Sequence, residues 1–199
     1  MPEQPQDNPQ KPLTIRQQNV NKSLLSQLDL LESLRRDDYD ICIIQEPHID
    51  FKGNSRPNRQ WSTLYPNTHQ KHPEKTRSII LVNTNLHTDT WKQIDFQHPY
   101  ITAVELRGAF GTLQIFNIYN DCNNNSSLTH LSNYMRNRDN HLQAEGPIHS
   151  IWMGDFNRHH PLWDEARNAH LFTRGNLELA QPLLNMLGRH NMKMAQAML

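Results

Sequence analysis

The run Ile151-Trp152-Met153-Gly154-Asp155-Phe156-Asn157-Arg158-His159-His160-Pro161-Leu162-Trp163 constrains this chain most, because an apolar stretch breaks off abruptly into polar and aromatic residues. So short an apolar run, beginning near Ile148, reads as a β-strand that stops at Gly154-Asp155. Side chains alternate along a strand, so Asp155 and Asn157, two positions apart, leave on the same face. At the rim of a sheet they provide an acid that can hold a water and an amide that can donate to an oxyanion. That pair suits phosphodiester hydrolysis, where positioning and charge stabilisation do most of the work. The competing reading is a polar turn after a buried strand.

Composition narrows the frame. At 199 residues the chain is long enough for one domain with a core, but 36% hydrophobic residues and a mean hydropathy of -0.80 are low for a compact globule. The fold must rest on a few well-used strands, or part of the chain is unstructured. Residues 1–11, rich in Pro and Gln, read as a disordered tail, leaving 12–199 as the domain. No run approaches membrane-span length, and the N-terminus has neither a basic start nor an apolar stretch, so membrane and secretory classes are set aside. Cys42 and Cys122 form no disulfide framework or metal-type spacing, so an intracellular place of action is expected, the nucleus included.

Twenty basic residues balance twenty acidic ones, so there is no global footprint for nucleic acid. Charge is uneven locally. Between Ile49 and Ser78, Lys52, Arg56, Arg59, Lys71, Lys75 and Arg77 face only Asp50 and Glu74. This is either a solvated loop or a phosphate-tracking surface.

Along the chain, Leu13 to Asn19 reads as a short strand, and Ser23 as the cap of a helix with Leu24, Leu28, Leu31 and Leu34 on one face. Tyr39 to Ile44 is a buried strand ended by Gln45-Glu46-Pro47, since proline resists continuation. Strand character returns near Trp61 to Tyr65 and at Ser78 to Val82. Ile101–Arg107 and Thr112–Tyr119 flank Gly108-Ala109-Phe110-Gly111 as a β-hairpin. Ser126 to about His141 and Asn176 to Leu187 read as helices, with Gly188 as a stop signal for the second. Several strands, one hairpin and three helices argue for an α+β sandwich.

Asn19, Glu46, Tyr119 and the pair Asp155 and Asn157 each fall at the C-terminal end of a separate expected strand. Taken singly, Glu46 is a metal ligand or a salt-bridged structural acid, Tyr119 amphipathic packing and Asn19 a turn residue. Taken together and in order, Gln18-Asn19-Val20-Asn21, Ile44-Gln45-Glu46-Pro47, Phe116-Asn117-Ile118-Tyr119-Asn120 and Gly154-Asp155-Phe156-Asn157 with His159-His160-Pro161-Leu162-Trp163 resemble the endonuclease/exonuclease/phosphatase superfamily. Within it, the His-rich aromatic extension resembles the apurinic-type endonuclease domain of non-LTR retrotransposons. The resemblance spans roughly residues 11 to 195.

It implies a four-layer α/β/β/α sandwich of two mixed sheets flanked by helices. It implies a DNA endonuclease using Mg²⁺, with Mn²⁺ as a substitute, in which Glu46 assisted by Asn19 binds the cation. Asp155 would position or deprotonate the attacking water, Asn157 would bind phosphate oxygens, and Tyr119 would contact the phosphate from the other side. His159, His160 and Trp163 would lie at the DNA-facing rim or close the loop over the sheet; adjacent histidines without a matching Cys or His pair argue against zinc. The partners implied are DNA and a reverse transcriptase domain in a longer parent polyprotein, with no membrane.

One departure stands out. The family completes its site with a C-terminal Asp motif and a Ser-Asp-His, neither of which occurs in this chain. The sandwich is therefore expected to lack its C-terminal strands, and activity to be weakened or absent. Two alternatives stand beside this reading: a non-catalytic remnant that binds nucleic acid through Lys52 to Arg77, and a phosphatase or lipid phosphodiesterase on the same scaffold.

Overall fold

The computed structural model describes residues 12–141 and 147–195; the expected tail at 1–11 lies outside the described residues. One sheet contains β1 (Ile15–Asn19), β2 (Ile41–Gln45), β3 (Trp61–Leu64) and β4 (Ser78–Asn83) in the order β1-β2-β4-β3. The other contains β5 (Trp91–Ile94), β6 (Ile101–Gly108), β7 (Gly111–Tyr119) and β8 (Ile148–Asp155) in sequence order. Each sheet is mixed: β1 runs parallel to β2, and β7 parallel to β8, while the remaining pairs are antiparallel. Among the described residues the sheets are joined by three α-helices, α1 (Leu24–Ser33), α2 (Ser126–His141) and α3 (Arg174–Arg189), and by short 3-10 helices at Pro73–Lys75 and Ala166–Leu171.

The apolar runs become central strands because both faces of each sheet are covered. Between the sheets, Ile41, Ile43, Ile80 and Val82 meet Val104, Leu106 and Ile115. Alternate residues Cys42, Ile44, Ile79 and Leu81 face Leu30 and Leu34 at the end of α1. On the far side Ala103, Phe116 and Ile118 pack under Leu128, Leu131 and Met135 of α2 and Leu183 and Met186 of α3. Fully burying one such Ile or Leu is worth roughly 2 kcal/mol. The layers thus run helix, sheet, sheet, helices.

Three expectations need correction. Ser23 does cap α1, its Oγ accepting from Ser26 N–H at 3.2 Å, but Leu24, Leu25 and Leu28 are exposed and the buried face carries Gln27, Leu30 and Leu34. The helix is rotated because the Gln27 amide satisfies backbone of the loop after β2, donating to His48 O and Ser55 O and accepting from His48 N–H. A short strand, β5, forms where none was expected; Trp91-Lys-Gln-Ile94 carries no turn punctuation or apolar run and is recruited by pairing with β6. Gly188 does not stop α3, which continues to Arg189, and Pro182 is accommodated inside it.

The side chains of Asn117 and Gln17 link the two sheets at one end. The buried Asn117 of β7 donates through Nδ2 to Ile44 O at 2.9 Å and Ile79 O at 2.8 Å, and accepts from Gln45 Nε2 at 2.6 Å. Gln17 of β1 donates to Gly154 O of β8 at 3.1 Å. The C-terminal ends of β1, β2, β7 and β8 are therefore bound to one another across the sandwich.

Candidate active site

At that end Asn19, Glu46, Tyr119 and Asp155 emerge side by side. Register alone sets half of the arrangement, with Asn19 opposite Gln45 in one sheet and Tyr119 opposite Asp155 in the other. The rest is local chain geometry. Glu46 leaves β2 in a left-handed conformation (φ 46°), its N–H donating to Arg77 O and its carbonyl accepting from Lys22 N–H at 2.7 Å. Such a conformation is uncommon for a residue with a Cβ and persists where the surroundings over-determine it. Asn19 Oδ1 accepts from Asn21 N–H at 2.8 Å, and left-handed Asn21 and Lys22 fold the chain back so that Lys22 Nζ lies 3.9 Å from Glu46 Oε2.

The amide of Asn19 bridges the two acids. Its Nδ2 donates to Glu46 Oε1 at 3.3 Å and to Asp155 Oδ2 at 2.8 Å, joining carboxylates from two sheets and 109 positions apart in sequence, from 46 to 155. Asp155 is held from its other oxygen by Asn157 N–H at 3.1 Å. Asn157, also left-handed (φ 47°), donates through Nδ2 to Asn120 O at 2.9 Å. Asn120 closes the network: its N–H donates to Asp155 O at 2.8 Å, its Nδ2 to Phe156 O at 3.0 Å, and its Oδ1 accepts from Ser127 Oγ at 2.6 Å. Gly154 permits the approach of β8 to β7, since a Cβ there would fall 1.9 Å from Ile118 O.

Tyr119 is half-buried beside these acids. Burial, and then the charges of Glu46, Asp155 and Asp121, push its phenol up to about 12. It stays protonated at neutral pH and presents a donor, suited to an anionic oxygen.

The donor set fits a hard divalent cation. Glu46 and Asp155 supply carboxylate oxygens and Asn19 an amide, and among the described residues no group of three or more His, Cys, Asp or Glu gathers. Mg²⁺ is commonly held by one or two carboxylates and completed by water and phosphate oxygens, whereas a closed zinc site needs four N or S ligands. In this conformation Asn19 uses Oδ1 on Asn21 N–H and Nδ2 on the acids, so it positions Glu46 and Asp155.

The other singled-out residues fall elsewhere. Trp163 packs against the core under α2 and α3 and donates from Nε1 to Arg158 O at 2.7 Å. His160 N–H donates to Asp164 Oδ2, whose oxygen also lies 3.4 Å from His159 Nδ1. These residues close the loop over the sheet. Of the basic loop, Arg56 pairs with Asp50, Arg77 Nη1 donates to Glu74 O and Thr76 O, and Lys52, Arg59, Lys71 and Lys75 are exposed.

Sequence reasoning missed Lys22, Asn120 and Arg158. Buried Arg158 donates to Asn124 O, Asn125 Oδ1 and Leu179 O, tying the loop after β8 to the Asn-rich segment after β7 and to α3. The run Asn123-Asn124-Asn125 and the Arg directly following Asn157 were its only visible signals.

A family model described as endonuclease-reverse transcriptase matches residues 113–198. Among solved structures the chain is similar to the endonuclease domain of TRAS1, a telomere-specific non-LTR retrotransposon, at 19% identity and a TM-score of 0.60, covering 89% of this chain and 70% of that one. Looser likenesses are to a humanized D. rerio TDP2 carrying 14 mutations (13% identity, TM-score 0.46, 80% of this chain and 66% of that one) and to TDP2 from Caenorhabditis elegans (16%, 0.48, 74% and 48%). No curated protein matches the chain. With two mixed four-stranded sheets between helices, the chain has the fold of the TRAS1 endonuclease domain, and its stretch from β7 through α3 matches the endonuclease-reverse transcriptase family model.

Proposed function

We propose that this chain is a divalent-metal-dependent DNA endonuclease domain of retrotransposon type, working beside a reverse transcriptase in a longer polyprotein. The observation that most supports this reading is the Asn19 amide joining Glu46 and Asp155 at the meeting point of the two sheets. A mere turn after a strand does not bring two carboxylates together across a sandwich.

In this reading Glu46, positioned by Asn19, holds the cation, Mg²⁺ or Mn²⁺. The bound ion supplies Lewis-acid neutralisation of charge on the phosphate and its leaving oxygen. Asp155, fixed by Asn19 and by Asn157 N–H, orients a water and accepts its proton as the water oxygen attacks phosphorus and the phosphorus–leaving oxygen bond breaks. Protonated Tyr119 donates to a non-bridging oxygen, and Asn157 contacts the phosphate from the β8 side. Lys22 adds a positive charge beside Glu46 that draws the phosphate in.

The test is nicking of supercoiled plasmid by the purified 199-residue chain in Mg²⁺ and in chelator. Nicking dependent on Mg²⁺ and abolished by Asp155→Ala is the expected result. Because the chain contains no Ser-Asp-His, nicking is expected to be slow, and supplying a segment with that motif to raise it on the order of 10²-fold or more. Release of inorganic phosphate from small phosphomonoesters without nicking would favour the phosphatase reading. DNA binding with no nicking by either form would favour a non-catalytic remnant.

A further inference from the structure

The loop leaving Glu46 carries an aromatic residue that neither the core nor the Asn19–Glu46–Asp155 network uses. Phe51 is 88% exposed, the most exposed large hydrophobic side chain among the described residues. Single apolar residues on a surface are ordinary. What sets Phe51 apart is that its loop is rigidly built. Asp50 Oδ1 accepts from Lys52 N–H at 2.8 Å and Asn54 N–H at 2.9 Å, its Oδ2 pairs with Arg56, and Asp50 N–H donates to Asn54 O. The turn is anchored to the next segment by His69 Nε2, 2.9 Å from Gly53 O. An aromatic held this way forfeits little conformational entropy on contact.

Its surroundings indicate the partner. Lys52 Nζ sits 5.6 Å from the centre of the Phe51 ring, and the turn packs through Gly53 on His69 and Pro73, whose segment also carries the exposed Lys71 and Lys75. Asp50 is paired with Arg56, and Lys52, Lys71 and Lys75 outnumber Glu74 on the turn and the segment it packs against. An exposed ring within a basic surface combines the two elements that recognise nucleic acid by stacking and by phosphate attraction. Phe51 follows Glu46 by five positions, so their Cα atoms are at most about 18 Å apart. At ~3.4 Å per nucleotide this backbone reach, with the two side chains added, places the ring over the strand within several nucleotides of a phosphate held at Glu46.

We infer that Phe51 stacks on a base of the DNA strand flanking the scissile phosphate, with Lys52, Lys71 and Lys75 on the adjoining phosphates. The inference rests on the endonuclease reading. Its test is binding of the 199-residue chain, in chelator so that no turnover occurs, to a duplex carrying a fluorescent adenine analogue at successive positions. Wild type should brighten the analogue at one or two positions as the base step opens. Phe51→Ala should lose that signal and bind about tenfold more weakly, with unchanged melting temperature and unchanged salt dependence, while Phe51→Trp restores both. Lys52→Ala should instead lower the salt slope by about one. If wild type binds DNA and Phe51→Ala binds equally, the stacking role is wrong and the endonuclease reading stands. If wild type does not bind DNA, both fall. If Phe51→Ala impairs only partition onto phosphatidylserine-containing vesicles, the loop serves a membrane surface and the inference is overturned.

Discussion

Gly154 shows how much of the site depends on single atoms. It adopts φ +144°, and a methyl group there would collide with Ile118 O and other backbone of β7. Neither partner can yield, because both belong to the ladder that places Tyr119 opposite Asp155. Gly154→Ala is therefore expected to cost roughly 2–4 kcal/mol, from overpacking together with backbone strain. A denaturant titration checks this: a lowered midpoint with unchanged slope is the expected result. Glu46 and Asn157 illustrate the converse, residues with a Cβ held in left-handed backbone by hydrogen bonds to neighbouring segments.

Between elements, the connection that matters most at the rim of the second sheet is His98, which joins the entry to β6 to the first residue of α2. Its Nδ1 accepts from Tyr100 N–H at 3.2 Å, so Nε2 carries the proton and donates to Ser126 Oγ at 2.9 Å. Burial, and then the neighbouring His130, pull its pKa down to about 4. In the unfolded chain the imidazole titrates near its ordinary 6.5, so below that pH the unfolded state binds the extra proton first. Stability contributed by neutral His98 is thus complete above about pH 6.5 and declines as the pH falls toward 4, by roughly 2–3 kcal/mol. Melting temperatures across this window should show the decline, and His98→Gln, which keeps a polar partner without titrating, should flatten it.

For the whole molecule, Glu46 and Asp155 come together only where the two sheets meet, so ligand binding there should report on the sandwich as a unit. A cation that binds Glu46 in the native state alone stabilises it by about 1.4 kcal/mol at ten times its dissociation constant, a shift of a few degrees. Millimolar Mg²⁺ against chelator at matched ionic strength should raise the melting temperature of wild type, and should leave that of Glu46→Ala unmoved. Identical melting of wild type in both would overturn the metal reading. β1 and β8 are the last strands of their sheets on one side among the described residues, and Ile151 of β8 is 37% exposed there. That edge is where a further strand would add.

The elements and the order of the site residues were legible in the sequence because they are local: apolar runs bounded by Pro47, the glycine-closed hairpin and the Ser23 cap are set by neighbours a few residues away. Gly154-Asp155-Phe156-Asn157 was legible for the same reason, since its meaning lies in contiguous residues. The face that α1 buries was not, because it depends on the Gln27 contacts to His48 and Ser55 about twenty to thirty positions away. Nor was β5, which exists only against β6. Only the tertiary structure decided that Asn19 holds Glu46 and Asp155 together, that Trp163 turns to the core and that Phe51 stands on a rigid basic loop. Each follows from hydrogen bonds and packing between segments far apart in the chain, for which the amino-acid order provides the groups but not the distances.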